Sequence, residues 1–380
     1  MPVRIGAAVS TLADVRQGAL EAAASARTGL EGAPCDVAVV FASGNHLSTP
    51  ATMLEAVHEV LAPGALVGCG AGGTLAGGRE VEDGTSVSVW AAALDGGRAT
   101  PFAADADGAD LPDLAGAAGA VLLADPWSFN AEPVLRELSG SAPGLPLVGG
   151  LASARTDDGT GSLFLGAEVV PEGAVGLRFD GVDVLPCVSQ GAAPVGPELT
   201  ITAGEGHVIS ELAGKPALEK LREVVMGLPP EETALLESGL LLGVVIDSNK
   251  PDYVQGDFLV RGVVGADPDT GALAIGADVR PGQVVRLHAR DADSADRDLR
   301  DALAARREAL GGPRPAGALV FSCNGRGRGM FGSRDHDAHA VAEEFGGSPA
   351  AGFFAAGEIG PVGGEYFLHS FTATVAVFGR

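Results

Sequence analysis

Residues 317–332, GALVFSCNGRGRGMFG, and residues 350–372, AAGFFAAGEIGPVGGEYFLHSFT, hold the pattern that decides the fold. Each starts as an apolar run of strand length and breaks into a glycine-rich loop. Between them DAHAVAEEFG, residues 337–346, spaces its apolar residues for a helix. A strand, a helix and a second strand joined so closely predict two parallel strands with a right-handed crossover, whose following loops emerge at one sheet edge. The closing run FTATVAVFGR, residues 371–380, adds a further strand.

The same order occurs twice earlier in the chain. CDVAVVFASG (35–44), TMLEAVHEVL (52–61), ALVGCGAGG (65–73) and TSVSVWAAAL (85–94) form one set. GAVLLADPWS (119–128), AEPVLRELSG (131–140), LPLVGGLAS (145–153) and GSLFLGAEVV (161–170) form another. From about residue 194 a different region intervenes, with strands about a Gly-Glu-Gly turn (204–206), the helix ALEKLREVVMGL (217–228) and four further strand runs. The charged segment 291–310 is expected as an exposed helix capped by Asp293 or Ser294. The expectation is an α/β fold, its mixed sheets built from three repeated strand-helix-strand-strand units in two associated halves, residues 1–193 and 194–380.

Composition narrows the function. The 380 residues carry 49 acidic and 25 basic side chains, a net charge of −24. A field of that sign repels phosphates and anionic membrane surfaces, so neither nucleic acid nor membrane is expected as a partner. No basic stretch followed by an apolar core opens the chain, and no run reaches the roughly 18 uncharged apolar residues of a span. A soluble, cytoplasmic protein is expected. Cys35, Cys69, Cys187 and Cys323 are scattered without a CxxC pair, which predicts reduced thiols and neither zinc nor a disulfide framework.

The two glycine loops gather the chemistry. Arg326 offers a fork for a carboxylate, Glu358 an acceptor for an ammonium group, and Asn324 with the backbone completes the hydrogen bonding, which suits a zwitterion. The alternative is that Arg326 and Glu358 bridge each other and only fasten the loops. Cys323 stands beside Arg326 and Arg328, which would favour a thiolate nucleophile, yet free cysteine also serves as a small buried hydrophobe. Gly327-x-Gly329-x-x-Gly332 before a helix leaves a nucleotide as a second alternative; Gly68-x-Gly70-x-x-Gly73 is not followed by a helix and lacks that reading. His336 and His339 share a helical face, but the acids around them are accounted for as helix caps. In the earlier sets, residues 43–49 and 124–130, the latter with Trp127 and Phe129, occupy the place of the Cys323 loop.

The pattern Phe-Ser-Cys-x-Gly-Arg-Gly (321–327), Gly-Phe-Phe-x-x-Gly-Glu-Ile-Gly (352–360) and a closing His369-x-x-Thr372 resemble the C-terminal half of FIST proteins. Glu211-Leu-Ala-Gly-Lys-Pro-Ala and residues 258–283 look like that family too, and the first 180 residues, with GCGAGGTLAGG (68–78), are similar to its N-terminal half. The resemblance implies a sensory module that binds a small ligand, an amino acid or similar metabolite, and works with a protein signalling partner, as in relatives fused to signalling or F-box modules. The candidate ligand set is Cys323, Asn324, Gly325, Arg326, Gly327, Gly357, Glu358, His369 and Thr372. No catalytic residue, metal or cofactor is expected. An enzyme using Cys323 or a bound nucleotide, or an interaction scaffold, is the alternative.

Overall fold

The computed structural model describes residues 2–236, 239–247, 250, 252–253, 256–311 and 314–380. The chain divides into two compact units, Met1–Ser189 with Leu299–Arg380, and Gln190–Asp298. It begins with β1 (Arg4–Ser10), α1 (Val15–Thr28), β2 (Val37–Ser43), α2 (Pro50–Leu61), β3 (Ala65–Gly70), a hairpin of β4 (Thr74–Ala76) and β5 (Arg79–Val81), and β6 (Ser86–Ala93). Next come β7 (Arg98–Ala104), β8 (Gly119–Ala124), α3 (Ala131–Ser141), β9 (Leu147–Leu151), the hairpin β10 (Leu163–Leu165) and β11 (Glu168–Val170), and β12 (Ala174–Asp180). After β13 (Val184–Gln190) the chain runs through β14 (Ala192–Glu205), β15 (Val208–Leu212), β16 (Lys215–Pro216), α4 (Ala217–Gly227), α5 (Pro230–Leu235), β17 (Leu240–Val245), β18 (Phe258–Ala266), β19 (Leu273–Ile275), β20 (Val284–Arg290) and α6 (Ala292–Ala309). It closes with β21 (Gly317–Cys323), α7 (Arg328–Phe331), α8 (His336–Glu344), β22 (Ala350–Ala355), the hairpin β23 (Glu358–Val362) and β24 (Glu365–His369), and β25 (Thr372–Phe378). The fold is mixed α/β.

In the larger unit the described strands form three six-stranded sheets, β1-β6-β2-β3-β10-β11, β7-β12-β8-β9-β23-β24 and β13-β25-β21-β22-β4-β5. Each is centred on a parallel pair, β2 with β3, β8 with β9 and β21 with β22. The closing strand, β6, β12 or β25, lies antiparallel to the first member of that pair. The hairpins are exchanged: β4 pairs with β22, β10 with β3 and β23 with β9. GSLFLGAEVV is therefore a hairpin turning at Gly166 (φ +59°), not a single strand, and the closing strand of that set is β12. Apolar residues on both sides of the turn conceal it in the sequence.

Alternation along the strands separates two burial environments. Val37, Val39 and Phe41 of β2, Val121 and Leu123 of β8, and Leu319 and Phe321 of β21 enter one central core. The intervening Ala38 and Val40, Ala120 and Leu122, and Ala318 and Val320 face the layers to which α1 and α2, α3, and α6 and α8 contribute. Both faces are covered, which explains apolar runs without polar alternation. Phe41 packs on Phe321 and Phe353, with ring centroids 6.3 and 4.8 Å away. The segment 291–310 is not the exposed helix expected: α6 starts before Asp293 and buries Ala295, Leu299 and Leu303 completely.

In the smaller unit β14, β20, β17, β18, β19 and β15 pair in succession, and β15 pairs again with β14, so the antiparallel circuit closes. Closure removes free edges from this circuit. Ala217, Leu221 and Val224 of α4 join the core formed with these strands.

Gly68, Gly149 and Gly352 hold the same place in β3, β9 and β22. A Cβ there would lie 2.0 Å from Val40 O, 1.9 Å from Leu122 O and 1.8 Å from Val320 O. The parallel pairs thus depend on glycine at their centres. Gly352→Ala is expected to cost about 1–3 kcal/mol or more in urea denaturation, whereas Gly140→Ala, exposed in α3 with nothing within 4 Å, gains roughly 0.5–1 kcal/mol.

Candidate functional site

The carboxyl ends of the three parallel pairs meet through backbone hydrogen bonds, Ser153 N to Gly70 O (3.2 Å), Phe354 N to Gly73 O (3.0 Å) and Leu151 N to Gly357 O (2.8 Å). Each end carries a polar corner with its own chemistry. After β2, Ser43 Oγ and Thr74 Oγ1 each lie 2.7 Å from Ser86 Oγ, and Ser43 Oγ also reaches Gly84 O at 2.9 Å. After β8, the fully buried Asp125 accepts from Ser162 Oγ (2.6 Å), Ser128 Oγ (2.7 Å) and Arg155 Nη2 (3.4 Å). Arg155 in turn lies 4.9 Å above the ring of the exposed Trp127.

The third corner follows β21. Cys323 ends the strand and Asn324 N bonds Ala355 O (2.9 Å), while the Asn324 side chain is exposed. Gly325 N and Phe371 N both donate to Cys323 Sγ, at 3.4 and 3.3 Å. Phe371 adopts φ +64°, a left-handed conformation that costs a non-glycine residue energy and here aims its N–H at the sulfur. Gly327, at φ +70°, leaves room where a Cβ would meet Glu82 Oε2 at 2.7 Å. Glu82 accepts the Arg328 N–H at 2.9 and 3.0 Å.

Arg326 turns inward. Its Nε and Nη2 bond Asp337 Oδ2 and Oδ1 at 2.7 and 2.8 Å, and both side chains are essentially inaccessible. Ser322 Oγ (2.6 Å) and His336 Nδ1 (2.9 Å) also donate to Asp337. Burial alone would raise the Asp337 carboxyl; the Arg326 charge and these hydrogen bonds outweigh it and hold the group far below the usual carboxylate range. The acids at the start of α8 are not its caps, as the sequence suggested: Ala338 N donates instead to Glu80 Oε1 (2.9 Å), from the exchanged hairpin. The fork expected to grip a ligand carboxylate is occupied by Asp337; the guanidinium carbon lies 5.1 Å from the Phe331 ring centroid, and Nη1 is buried without a hydrogen-bond partner.

Glu358 opens β23 and is fully buried. Its Oε2 accepts from Thr372 N (3.2 Å) and Thr372 Oγ1 (2.8 Å); Oε1 has no hydrogen-bond partner. Burial pushes this carboxyl up to about 8, against the lowering effect of Thr372. Cys323 borders it closely enough for each to bias the other's proton, through charge and through contact of thiol with carboxyl. Burial first, then the Glu358 charge, push the thiol up to about 12, so the thiolate expected beside two arginines is disfavoured. His369 sits opposite Glu358 in the β23–β24 register, its Nε2 3.1 Å from Gly360 O. The corner therefore brings together Cys323, Arg326, Glu358 and Thr372. Gly357 is buried beside Leu151; Asp337 and Phe371 join without being singled out in the sequence, and Ser322 joins from within the Phe-Ser-Cys motif, where no role is assigned to it.

Family comparison accords with these motifs. The FIST N domain matches residues 36–215 and the FIST C domain residues 217–361. The chain belongs to the FIST family. It is 43% identical over 390 residues to the uncharacterized protein Rv0628c of Mycobacterium tuberculosis, spanning 99% of this chain and 100% of that one. It is 42% identical over 391 residues to the uncharacterized protein Mb0898c of Mycobacterium bovis, spanning 99% of each. FIST domains are regarded as sensory, signal-transduction domains. Among the described residues no helix is long and apolar enough to cross a membrane, and no group of His, Cys, Asp and Glu side chains has the arrangement of a metal site.

Removing one member of a buried ion pair leaves the other charge stranded, so Arg326→Ala should lose about 3–5 kcal/mol in urea denaturation. Arg326→Met combined with Asp337→Leu should recover most of that loss. Glu358 binds its proton more tightly in the folded chain than in the unfolded one, where its ordinary value is 4.5. Its contribution to stability must therefore fall as pH rises from 4.5 through about 8. Asp337 acts in the opposite sense, stabilising above its ordinary 3.8 and less as pH falls. Denaturation measured against pH is expected to show the alkaline decline in the wild type and a flatter profile in Glu358→Gln.

Proposed function

We propose that this chain is a non-catalytic sensory module that takes up a small polar metabolite, an amino acid or similar molecule, in the glycine loops after β21 and β22. Cys323, Asn324, Gly325, Arg326, Gly327, Gly357, Glu358, His369 and Thr372 form the binding set. The observation that carries this reading is the pair of buried atoms without partners, Arg326 Nη1 and Glu358 Oε1. An unsatisfied buried polar group costs about 1–3 kcal/mol, more for a charged one, and a ligand that meets both recovers it. On this reading the ligand enters past the exposed Asn324 and the half-buried Phe371. A thiol held near 12 supports binding over nucleophilic chemistry.

In this reading the halves 1–193 and 194–380 act together, since Glu80 and Glu82 of the first brace the loop and helix of the second. A change in that bracing on ligand uptake is the signal a protein partner would read. The test is a thermal-shift screen of the full chain against amino acids and related metabolites. A true ligand raises the melting temperature of the wild type, and Glu358→Leu lowers its affinity by about tenfold or more. If Glu358→Leu and a mouth-blocking Asn324→Trp both leave the shift unchanged, the ligand binds elsewhere, and the loops around Asn45 and Trp127 become the candidates.

A further inference from the structure

Resting on that reading of the site, we infer that the corner recognises a hydrogen-bond acceptor, a carboxylate or carbonyl oxygen of the ligand, held between the carboxyl O–H of Glu358 and the Nη1 amino group of Arg326. An ammonium group has no seat there. A guanidinium offers donors only, and Arg326 has already directed Nε and Nη2 to Asp337. In Glu358 the two Thr372 donors take Oε2, so a proton on this carboxyl resides on Oε1, the oxygen without a partner. Both open positions are then donors.

Acceptors for an ammonium are correspondingly scarce. Asp337 already receives Arg326 twice, Ser322 and His336. Glu358 could serve only as an ion, and burial opposes that charge more than the surrounding groups relieve it. Arg326 is paired with Asp337, Cys323 presents a thiol and Thr372 a hydroxyl. Complete burial penalises the ionised form, in keeping with a carboxyl raised to about 8. A buried acid kept neutral so that it can donate is a known way of binding an oxygen atom.

The experiment is difference infrared spectroscopy of the full chain, wild type minus Glu358→Gln, which isolates this carboxyl. At neutral pH it should show the carbonyl band of an un-ionised acid, giving way to carboxylate as pH rises through about 8. Sodium acetate, acetamide and methylammonium chloride are then added separately at equal concentration. Acetate or acetamide should shift the band and raise its titration midpoint; acetate alone marks a carboxylate ligand, acetamide alone a neutral carbonyl. Thermal shift against probe concentration should find affinity kept within about threefold in Glu358→Gln, whose amide still donates, and reduced about tenfold or more in Glu358→Leu. If methylammonium instead converts the band to carboxylate and lowers the midpoint, the inference is overturned while the site stands. A Gln variant as weak as the Leu variant also overturns it. If no probe perturbs the Glu358 band, the small-ligand reading of this corner falls, and the inference with it.

Discussion

None of the three six-stranded sheets is complete without strands from another part of the chain, and that exchange is the constraint on which the larger unit depends. Hairpin β4–β5 leaves β3 and finishes the sheet of β21 and β22, β10–β11 finishes the sheet of β2 and β3, and β23–β24 finishes that of β8 and β9. Each exchanged hairpin turns an open edge of a parallel pair into an antiparallel ladder. The contacts are distant in sequence, with Thr74 paired to Phe353 in one of them. Loop closure must therefore precede the reward of pairing, which makes assembly of the sheets mutually dependent.

The same exchange builds the site. Glu358 is the first residue of β23, so its backbone pairs with Gly150 of β9 while its side chain reaches Thr372 and Cys323. The Cys323 loop is braced from the other direction by the β4–β5 hairpin, through Glu80 at the start of α8 and Glu82 at Arg328. Desolvation and the nearby Asp337 push Glu80 up to about 7. The corner thus holds several carboxyls whose environments drive them apart: Asp337 is held low by its guanidinium, whereas Glu358 is pushed up by burial. Two identical chemical groups receive opposite roles from position alone.

Much of this was legible in the chain. The parallel pairs, their crossover helices and the glycine loops at their carboxyl ends follow from apolar runs broken by glycine; Cys323, Arg326 and Glu358 stand in or beside those loops, whereas Thr372, at the start of β25, is marked only by the family motif. What escaped is long-range. A short hairpin such as residues 163–170 reads as one strand, because its turn at Gly166 interrupts an otherwise apolar run. Asp337 was concealed by a plausible local explanation, since an acid in the first turn of a helix is ordinarily there for the dipole. Only tertiary structure reveals that Arg326 lies within its reach and that Glu80, some 258 residues away from Ala338, performs the capping. Local pattern fixes which elements form; it does not fix which charge meets which.

That distinction explains how three similar strand ends differ chemically. In the first corner small hydroxyls satisfy one another, and in the second a carboxylate is surrounded by donors. The third replaces these by a larger set, thiol, acid and guanidinium, and closes most of it through Asp337 and Thr372. A buried guanidinium without Asp337 would carry an uncompensated charge, while one bonded on all sides would have nothing left to offer a ligand. The arrangement lies between these limits: the ion pair meets the electrostatic demand of burial, and the Arg326 Nη1 amino group and one carboxyl oxygen are left without hydrogen bonds. On the proposed ligand-binding reading, selectivity resides in the mismatch that a wrongly filled corner leaves among buried groups.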